Sequence, residues 1–218
     1  MPKRALIEHR PWLLASIIAA VAFYFLRDNP LGEVWLIMIK GLAVGCLAFY
    51  AIRRATGPDA AIIAAVMMFG ALGDMGIEFD FGLGGGLFFI GHVLAIWLYL
   101  RNPREHRSPS QKALAVVLLL GTPAISWLLS HDWAVTLYGL ALGGMASTAW
   151  MSHFPRYRVG IGAVLFVVSD WLIFSRMGPF DLGVLPHYLI WPLYFAGQFM
   201  IATGVVQTLR HELADEDD

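Results

Sequence analysis

The chain has 218 residues, of which 58% are hydrophobic and only 14% are charged, and its formal net charge at pH 7 is −1. A water-soluble domain carries about 25% charged residues, so this composition excludes a soluble enzyme, a nucleic-acid-binding protein and a disordered chain. The single cysteine, Cys46, excludes an intramolecular disulfide and a zinc site built on paired cysteines. A membrane protein remains, provided that the apolar residues occur in runs of about 20.

Apolar segments follow one another along the whole chain, and most have the length that a helix needs to cross the hydrocarbon core. The eight segments cover residues 11–27, 32–52, 58–77, 82–100, 112–130, 133–152, 159–175 and 184–209. Because lipid cannot satisfy an unpaired backbone and the runs are continuous, they predict helices and not barrel strands. We therefore predict an all-α polytopic membrane helix bundle with about eight transmembrane helices, in which residues 1–218 form a single domain.

Two segments allow more than one interpretation. The first apolar run follows basic residues as a signal peptide does, but it is longer than the usual hydrophobic region, so we expect an uncleaved anchor. The glycine run Gly84-Gly85-Gly86 follows no strand, which excludes a dinucleotide-binding loop. We interpret it as the flexible start of the fourth span.

The basic residues are distributed unevenly between the two sides of the predicted bundle. Twelve of the fifteen lie on the side of both termini, and only Arg27 and Arg176 lie on the other, with Lys40 inside a span. The twelve are Lys3, Arg4, Arg10, Arg53, Arg54, Arg101, Arg104, Arg107, Lys112, Arg156, Arg158 and Arg210. By the positive-inside rule, this asymmetry predicts that both termini are cytoplasmic. We expect a multi-pass protein of a bacterial inner membrane.

A few polar side chains lie within the predicted spans, where their burial costs free energy and where they usually mark functional sites. They are the ionisable residues Lys40, Asp74 and Asp170 and the neutral residues His92, Tyr138, Tyr194 and Gln198. In the predicted orientation they occupy overlapping depths on the non-cytoplasmic side. We therefore predict a polar cavity in the outer half of the bundle.

Each of these residues also has a purely structural interpretation. Lys40 can extend its amine to the interface or neutralise an aspartate, and the neutral side chains can hydrogen-bond to neighbouring helices. Asp170, which is flanked by apolar residues at helical spacing, is the hardest to explain in this way. Of the histidines, only His92 and His187 are placed to join the aspartates, and a catalytic zinc usually needs three protein ligands. We predict no metal and no cofactor.

Two carboxyl groups in an apolar cavity can divide into one protonated acid and one ionised base, because burial and a neighbouring carboxylate both disfavour charge. Such a pair can protonate an electron-rich substrate, stabilise an oxocarbenium-like cation and direct water at it. The absence of a G-x-S-x-G motif disfavours an acyl-enzyme hydrolase. Membrane carboxylates also carry protons in transporters. These residues by themselves leave hydrolysis and transport open.

An ordered series of motifs, from about residue 40 to residue 204, resembles the YhhN family of integral-membrane proteins, whose animal members are lysoplasmalogenases. The motifs in chain order are Gly73-Asp74, Gly91-His92, Tyr138, Ser169-Asp170 and Tyr194-xxx-Gln198. Members of the family often have Lys-Pro where this chain has Lys40-Gly41, which weakens a shared role for the lysine.

The resemblance implies cleavage of the vinyl-ether bond of a lysoplasmalogen-like lysophospholipid, which yields a fatty aldehyde and a glycerophospho-base. On this hypothesis Asp74 and Asp170 form the acid/base pair, and Lys40 binds the phosphate or holds one aspartate ionised. His92 or Tyr138 orients water or a carboxyl group, with Tyr194 and Gln198 in support. The alternative is a proton-coupled transporter or a lipid-binding membrane protein without hydrolytic activity.

Overall fold

The computed structural model describes residues 11–29 and 32–216, and these residues form helices and no strands. The predicted all-α class is confirmed, and the described residues contain eight helices, in agreement with the predicted number of about eight. The eight helices are α1 (Pro11–Leu26), α2 (Glu33–Arg54), α3 (Pro58–Gly76), α4 (Phe81–Arg101), α5 (Pro109–Ser130), α6 (Trp133–Met151), α7 (Ile161–Phe174) and α8 (Leu185–Glu216). A π-helical turn, Arg156–Gly160, leads directly into α7. The basic residues Lys3, Arg4 and Arg10 lie outside the described residues.

Within the described part of the chain, six segments are long and apolar enough to cross a membrane. They are Glu33–Arg54, Pro58–Gly76, Phe81–Arg101, Pro109–Ser130, Arg156–Phe174 and Leu185–Glu212. Helix α1 is apolar but has only 16 residues, and α6 is diluted by glycine, serine and threonine. The chain is thus a multi-pass membrane protein.

Capping residues determine where several helices begin. Ser108 and Gln111 form a capping box at the start of α5, which therefore begins three residues before the apolar run 112–130. The carboxylate of Asp132 accepts hydrogen bonds from the amides of Ala134 and Val135 and caps α6. The connection between α5 and α6 is only two residues long, so these helices are antiparallel neighbours.

The glycine run at residues 84–86 is helical and lies near the start of α4, where the start of the fourth span is predicted. Asp80 Oδ1 accepts a hydrogen bond from the Leu83 amide at 2.7 Å, and α4 begins at Phe81, so all three glycines lie inside the helix. A Cβ atom at Gly84 would lie 2.5 Å from the backbone nitrogen of Ile77. The glycine therefore allows the close approach of two backbones after the turn that joins α3 to α4.

The chain divides into two compact units. The first unit comprises the chain up to Gly91 together with the segment from Leu209 onward, and the second unit runs from His92 to Thr208. In the first unit, Ser16 Oγ donates a hydrogen bond to the Ala43 carbonyl at 2.5 Å and joins α1 to α2. In the second unit, α5 and α6 approach closely at Gly143, where a Cβ would lie 2.6 Å from the Leu118 carbonyl oxygen.

Candidate functional site

The second unit has a buried carboxyl group on α7. This helix is apolar except for Ser169 and Asp170, and Asp170 is only 5% exposed. Ser169 Oγ donates to the Phe166 carbonyl at 2.9 Å and lies 3.3 Å from Asp170 Oδ1. A buried carboxyl group of this kind needs polar partners from other helices, because lipid and apolar side chains supply none.

Those partners come from α6 and α4. The Tyr138 hydroxyl donates a hydrogen bond to Asp170 Oδ2 at 2.7 Å, and its oxygen lies 3.0 Å from His92 Nε2. His92 is 4% exposed, so the imidazole is as deeply buried as the carboxyl group. Three helices thus build one continuous chain of polar groups, which we call the His92–Tyr138–Asp170 chain.

The His92–Tyr138–Asp170 chain of hydrogen bonds has two self-consistent arrangements of protons. Tyr138 has one hydroxyl hydrogen, so when it donates to an ionised Asp170, His92 Nε2 must carry a proton and donate to the hydroxyl oxygen. In the reverse arrangement, a protonated Asp170 donates to Tyr138, which donates to an unprotonated Nε2. A proton that arrives at His92 Nδ1 can therefore emerge on Asp170 without any side chain moving.

Aromatic rings surround the polar chain and connect it to α8. The Phe166 ring lies 5.1 Å from the His92 ring and 5.1 Å from the Tyr194 ring, in edge-to-face geometry in both cases. Gln198 Nε2 donates to the Tyr194 hydroxyl at 3.3 Å, one helical turn away on α8. The surroundings are apolar and of low dielectric, which strengthens the electrostatic interactions within the polar chain.

The second unit therefore brings together five of the predicted site residues. His92, Tyr138 and Asp170 are joined by hydrogen bonds, and Tyr194 and Gln198 are joined to them through the Phe166 ring. Phe166, whose ring makes both contacts, was not among the predicted site residues, because one phenylalanine in an aromatic-rich chain is inconspicuous by itself.

The other two predicted residues, Asp74 and Lys40, belong to the first unit. Asp74 is buried near the end of α3. Lys40 Nζ lies 2.5 Å from Glu78 Oε1 and 5.7 Å from the centroid of the Phe23 ring. Glu78 is two residues beyond the end of α3 and was not singled out from the sequence, because it lies at a span end where charged residues are common.

The ion pair of Lys40 with Glu78 leads to a stability prediction. The side chains are 13% and 40% exposed, so water partly screens the pair. We expect a double-mutant cycle of Lys40→Met and Glu78→Gln, measured by unfolding in detergent, to give a coupling of about 0.5–1 kcal/mol. The control is the pair Lys40→Met and Asp80→Asn. Its effects should be additive, because the Asp80 carboxylate accepts a hydrogen bond from the Leu83 amide and caps α4. Additive effects at Lys40 and Glu78 would contradict the pairing.

Comparison with known proteins places these residues in a wider group. The model of the YhhN family matches residues 35–205, a range that includes every predicted site residue. Two proteins named lysoplasmalogenase, from Mycobacterium bovis and Mycobacterium tuberculosis, are each 28% identical to this chain over 177 residues. The match covers 72% of this chain but only 65% of the length of each relative. No solved structure matches the chain.

Proposed function

The chain belongs to the YhhN family, and from this membership we propose that it hydrolyses the vinyl-ether bond of lysoplasmalogen-like lysophospholipids to a fatty aldehyde and a glycerophospho-base. The two relatives named lysoplasmalogenase support the reaction class. The observation that carries the proposal for this chain is the buried His92–Tyr138–Asp170 chain, because vinyl-ether cleavage begins with a proton delivered in an apolar environment.

The first step that we propose is protonation of the vinyl-ether carbon β to the oxygen by Asp170. The carbon–carbon double bond supplies the electron pair of the new C–H bond, and the adjacent carbon becomes an oxocarbenium ion. The carboxylate that remains on Asp170 is a negative charge in a site of low dielectric, where it stabilises the developing cation strongly. The Tyr138 hydroxyl, 2.7 Å away, keeps this carboxylate hydrogen-bonded.

The second step is the addition of water to the oxocarbenium carbon. The new C–O bond forms as the water loses a proton to a second carboxylate, which gives a hemiacetal. The hemiacetal then collapses: its hydroxyl proton leaves, the bond to the glycerol oxygen breaks, and that oxygen takes up a proton. In this scheme the second carboxylate then releases the proton that it took from water, and His92 and Tyr138 return one proton to Asp170, so that no net proton is consumed. Asp74 is our proposed second carboxyl on sequence grounds.

The proposal also names a substrate route and a cellular location. We propose that the protein lies in a bacterial inner membrane, which it crosses several times. A lysophospholipid then enters the protein from the outer leaflet. An amphipathic substrate with a single chain suits this route, because its tail stays in hydrocarbon while the vinyl ether next to the glycerol reaches the polar residues.

The direct test is aldehyde release from a lysoplasmalogen by the protein purified in detergent. We expect one aldehyde per substrate cleaved, and none from the matching lysophospholipid that carries an ester instead of the vinyl ether. Asp74→Asn in the same assay tests the second carboxyl. Proton-coupled flux in proteoliposomes without aldehyde would instead favour the transporter alternative, for which the same proton chain is suited.

The proton relay leads to a prediction for Tyr138→Phe. This change keeps the aromatic ring beside Phe174 but removes the hydroxyl that joins His92 to Asp170. We expect turnover to fall by about 100-fold, the lower end of the range for acid–base groups. The double variant with His92→Leu should be no slower than Tyr138→Phe alone, since both changes break the same relay.

The matched control is Tyr157→Phe in the same unit, since Tyr157 is 70% exposed. It should keep wild-type turnover. If the effects of Tyr138→Phe and His92→Leu multiply, the two residues act separately and the relay is wrong.

A further inference from the structure

A second site lies in the second unit, at the end that the basic residues predict to be cytoplasmic. It is a cavity of about 290 Å³ where α4 ends, α5 begins and α6 ends. This volume is near the lower end of the roughly 300–1,000 Å³ found for small-molecule sites. The cavity shares no residue with the His92–Tyr138–Asp170 chain.

The walls of this cavity are suited to hydrocarbon. Leu100, Ala115, Val116, Leu119 and Met151 line it, and its surface is almost entirely apolar. Leu100, Val116 and Leu119 are also exposed on the outside of the unit, on helices long enough to span the membrane. The cavity therefore adjoins lipid, and an acyl chain can reach it from the bilayer without crossing water.

Two cationic side chains, Arg107 and Lys112, line the same cavity. Arg107 Nε donates to the Arg104 carbonyl at 3.0 Å, which leaves its two terminal amino groups for another partner. In the part of the chain that the structure describes, neither Arg107 nor Lys112 forms an ion pair. Arg104 differs, because its guanidinium is bound to the carbonyls of residues 152–154. The cavity thus combines apolar walls with two cations that form no ion pair with the described residues.

An independent observation comes from Tyr99, which also lines the cavity. Its side chain is 1% exposed, and among residues 11–29 and 32–216 its hydroxyl has no hydrogen-bond partner. A buried hydroxyl without a partner costs free energy, so native proteins nearly always pair one. The hydroxyl oxygen is itself enclosed, so a bound molecule with an oxygen acceptor would provide the missing partner once the neighbouring side chains move aside.

We propose that this cavity binds one phospholipid with an anionic head group. One acyl chain lies against the apolar walls, the phosphate contacts Arg107 and Lys112, and the Tyr99 hydroxyl donates to a lipid oxygen. Basic pockets between transmembrane helices at the cytoplasmic side bind anionic head groups in this way. The apolar walls favour a lipid over free phosphate, which would leave them without a partner.

The test uses the whole protein in nanodiscs that contain equal amounts of phosphatidylglycerol and phosphatidylcholine, with the retained lipid counted by native mass spectrometry. We expect the wild type to retain phosphatidylglycerol preferentially, and Arg107→Gln with Lys112→Gln to lower that preference by about tenfold. Lys112→Gln alone, at an exposed position, should lower it by about threefold. The control, Arg53→Gln with Arg156→Gln, removes the same charge from the same predicted face and should keep the preference.

Tyr99→Phe separates a lipid contact from a structural role. In lipid-free detergent the variant should be as stable as the wild type or more stable, because it loses only a hydroxyl that has no hydrogen-bond partner among the described residues. In nanodiscs it should retain less phosphatidylglycerol. The proposal is overturned if the wild type shows no preference, if the control loses as much as the Arg107 and Lys112 variant, or if Tyr99→Phe retains lipid as the wild type does.

Discussion

Asp170→Asn is expected to lower the rate of aldehyde release by about 10²–10⁴-fold while the protein keeps its fold. The amide oxygen of asparagine can still accept the hydrogen bond from Tyr138, which reaches Asp170 Oδ2 at 2.7 Å in the wild type. An amide, however, does not give up a proton to carbon and leaves no carboxylate to stabilise an oxocarbenium ion. The change thus removes the chemistry and preserves the shape.

The measurement is initial-rate aldehyde release, with the unfolding temperature in detergent as the check on folding. Asp181→Asn is a matched control, because Asp181 Oδ1 accepts a hydrogen bond from the Gly183 amide at 2.8 Å in the loop before α8 and an asparagine can do the same. It should keep wild-type turnover. Near wild-type turnover by a folded Asp170→Asn protein would remove Asp170 from the mechanism.

Gly197→Val should destabilise the protein strongly. A Cβ atom at Gly197 would lie 2.6 Å from the Gly162 carbonyl oxygen, and one at Gly162 would lie 2.8 Å from the Gly197 carbonyl oxygen. Backbone atoms on both sides cannot give way unless α7 and α8 separate. We expect a loss of about 3 kcal/mol in the free energy of unfolding, the upper end for overpacking.

Separation of these helices should also impair the site, because α7 carries Asp170 and α8 carries Tyr194. Loss of aldehyde release should therefore accompany the lower unfolding temperature. Gly121→Ala on α5 is the control: the nearest atom to its added Cβ is Val117 Cγ1 at 3.9 Å. Its free energy of unfolding should equal that of the wild type or exceed it by up to about 1 kcal/mol, since alanine favours helices. If Gly197→Val and the wild type had the same free energy of unfolding, the close contact between α7 and α8 would be contradicted.

The membrane fold could be predicted from the sequence because its cause is local. A segment that crosses about 30 Å of hydrocarbon must be apolar, about 20 residues long and internally hydrogen-bonded, so each span is visible without its neighbours. The predicted spans differ from the helices mainly at their ends, where polar residues determine at which residue a helix begins or ends. Ser108 extends α5 backward through its capping box, and α8 continues to residue 216, beyond the apolar run that ends at 209.

Which side chains need polar partners could also be predicted, because the free-energy cost of a polar side chain in lipid is a property of that residue alone. His92, Tyr138 and Asp170 are conspicuous for this reason. The order in which hydrogen bonds connect them could not be predicted. Tyr138 lies between partners that are 46 and 32 residues away in the sequence, and which atoms meet depends on how each helix is rotated and packed.

The same division between sequence and packing applies to two charged side chains, Lys40 and Arg107. The sequence by itself marks Lys40 as costly inside a span, but only the packing of α2 beside the turn after α3 determines that its partner is Glu78. Likewise, the basic loop predicts a cytoplasmic face, whereas the meeting of three helix ends places Arg107 at an apolar cavity that Tyr99 also lines. Residue type and local hydropathy set which groups need partners, and tertiary packing alone decides which partners they meet.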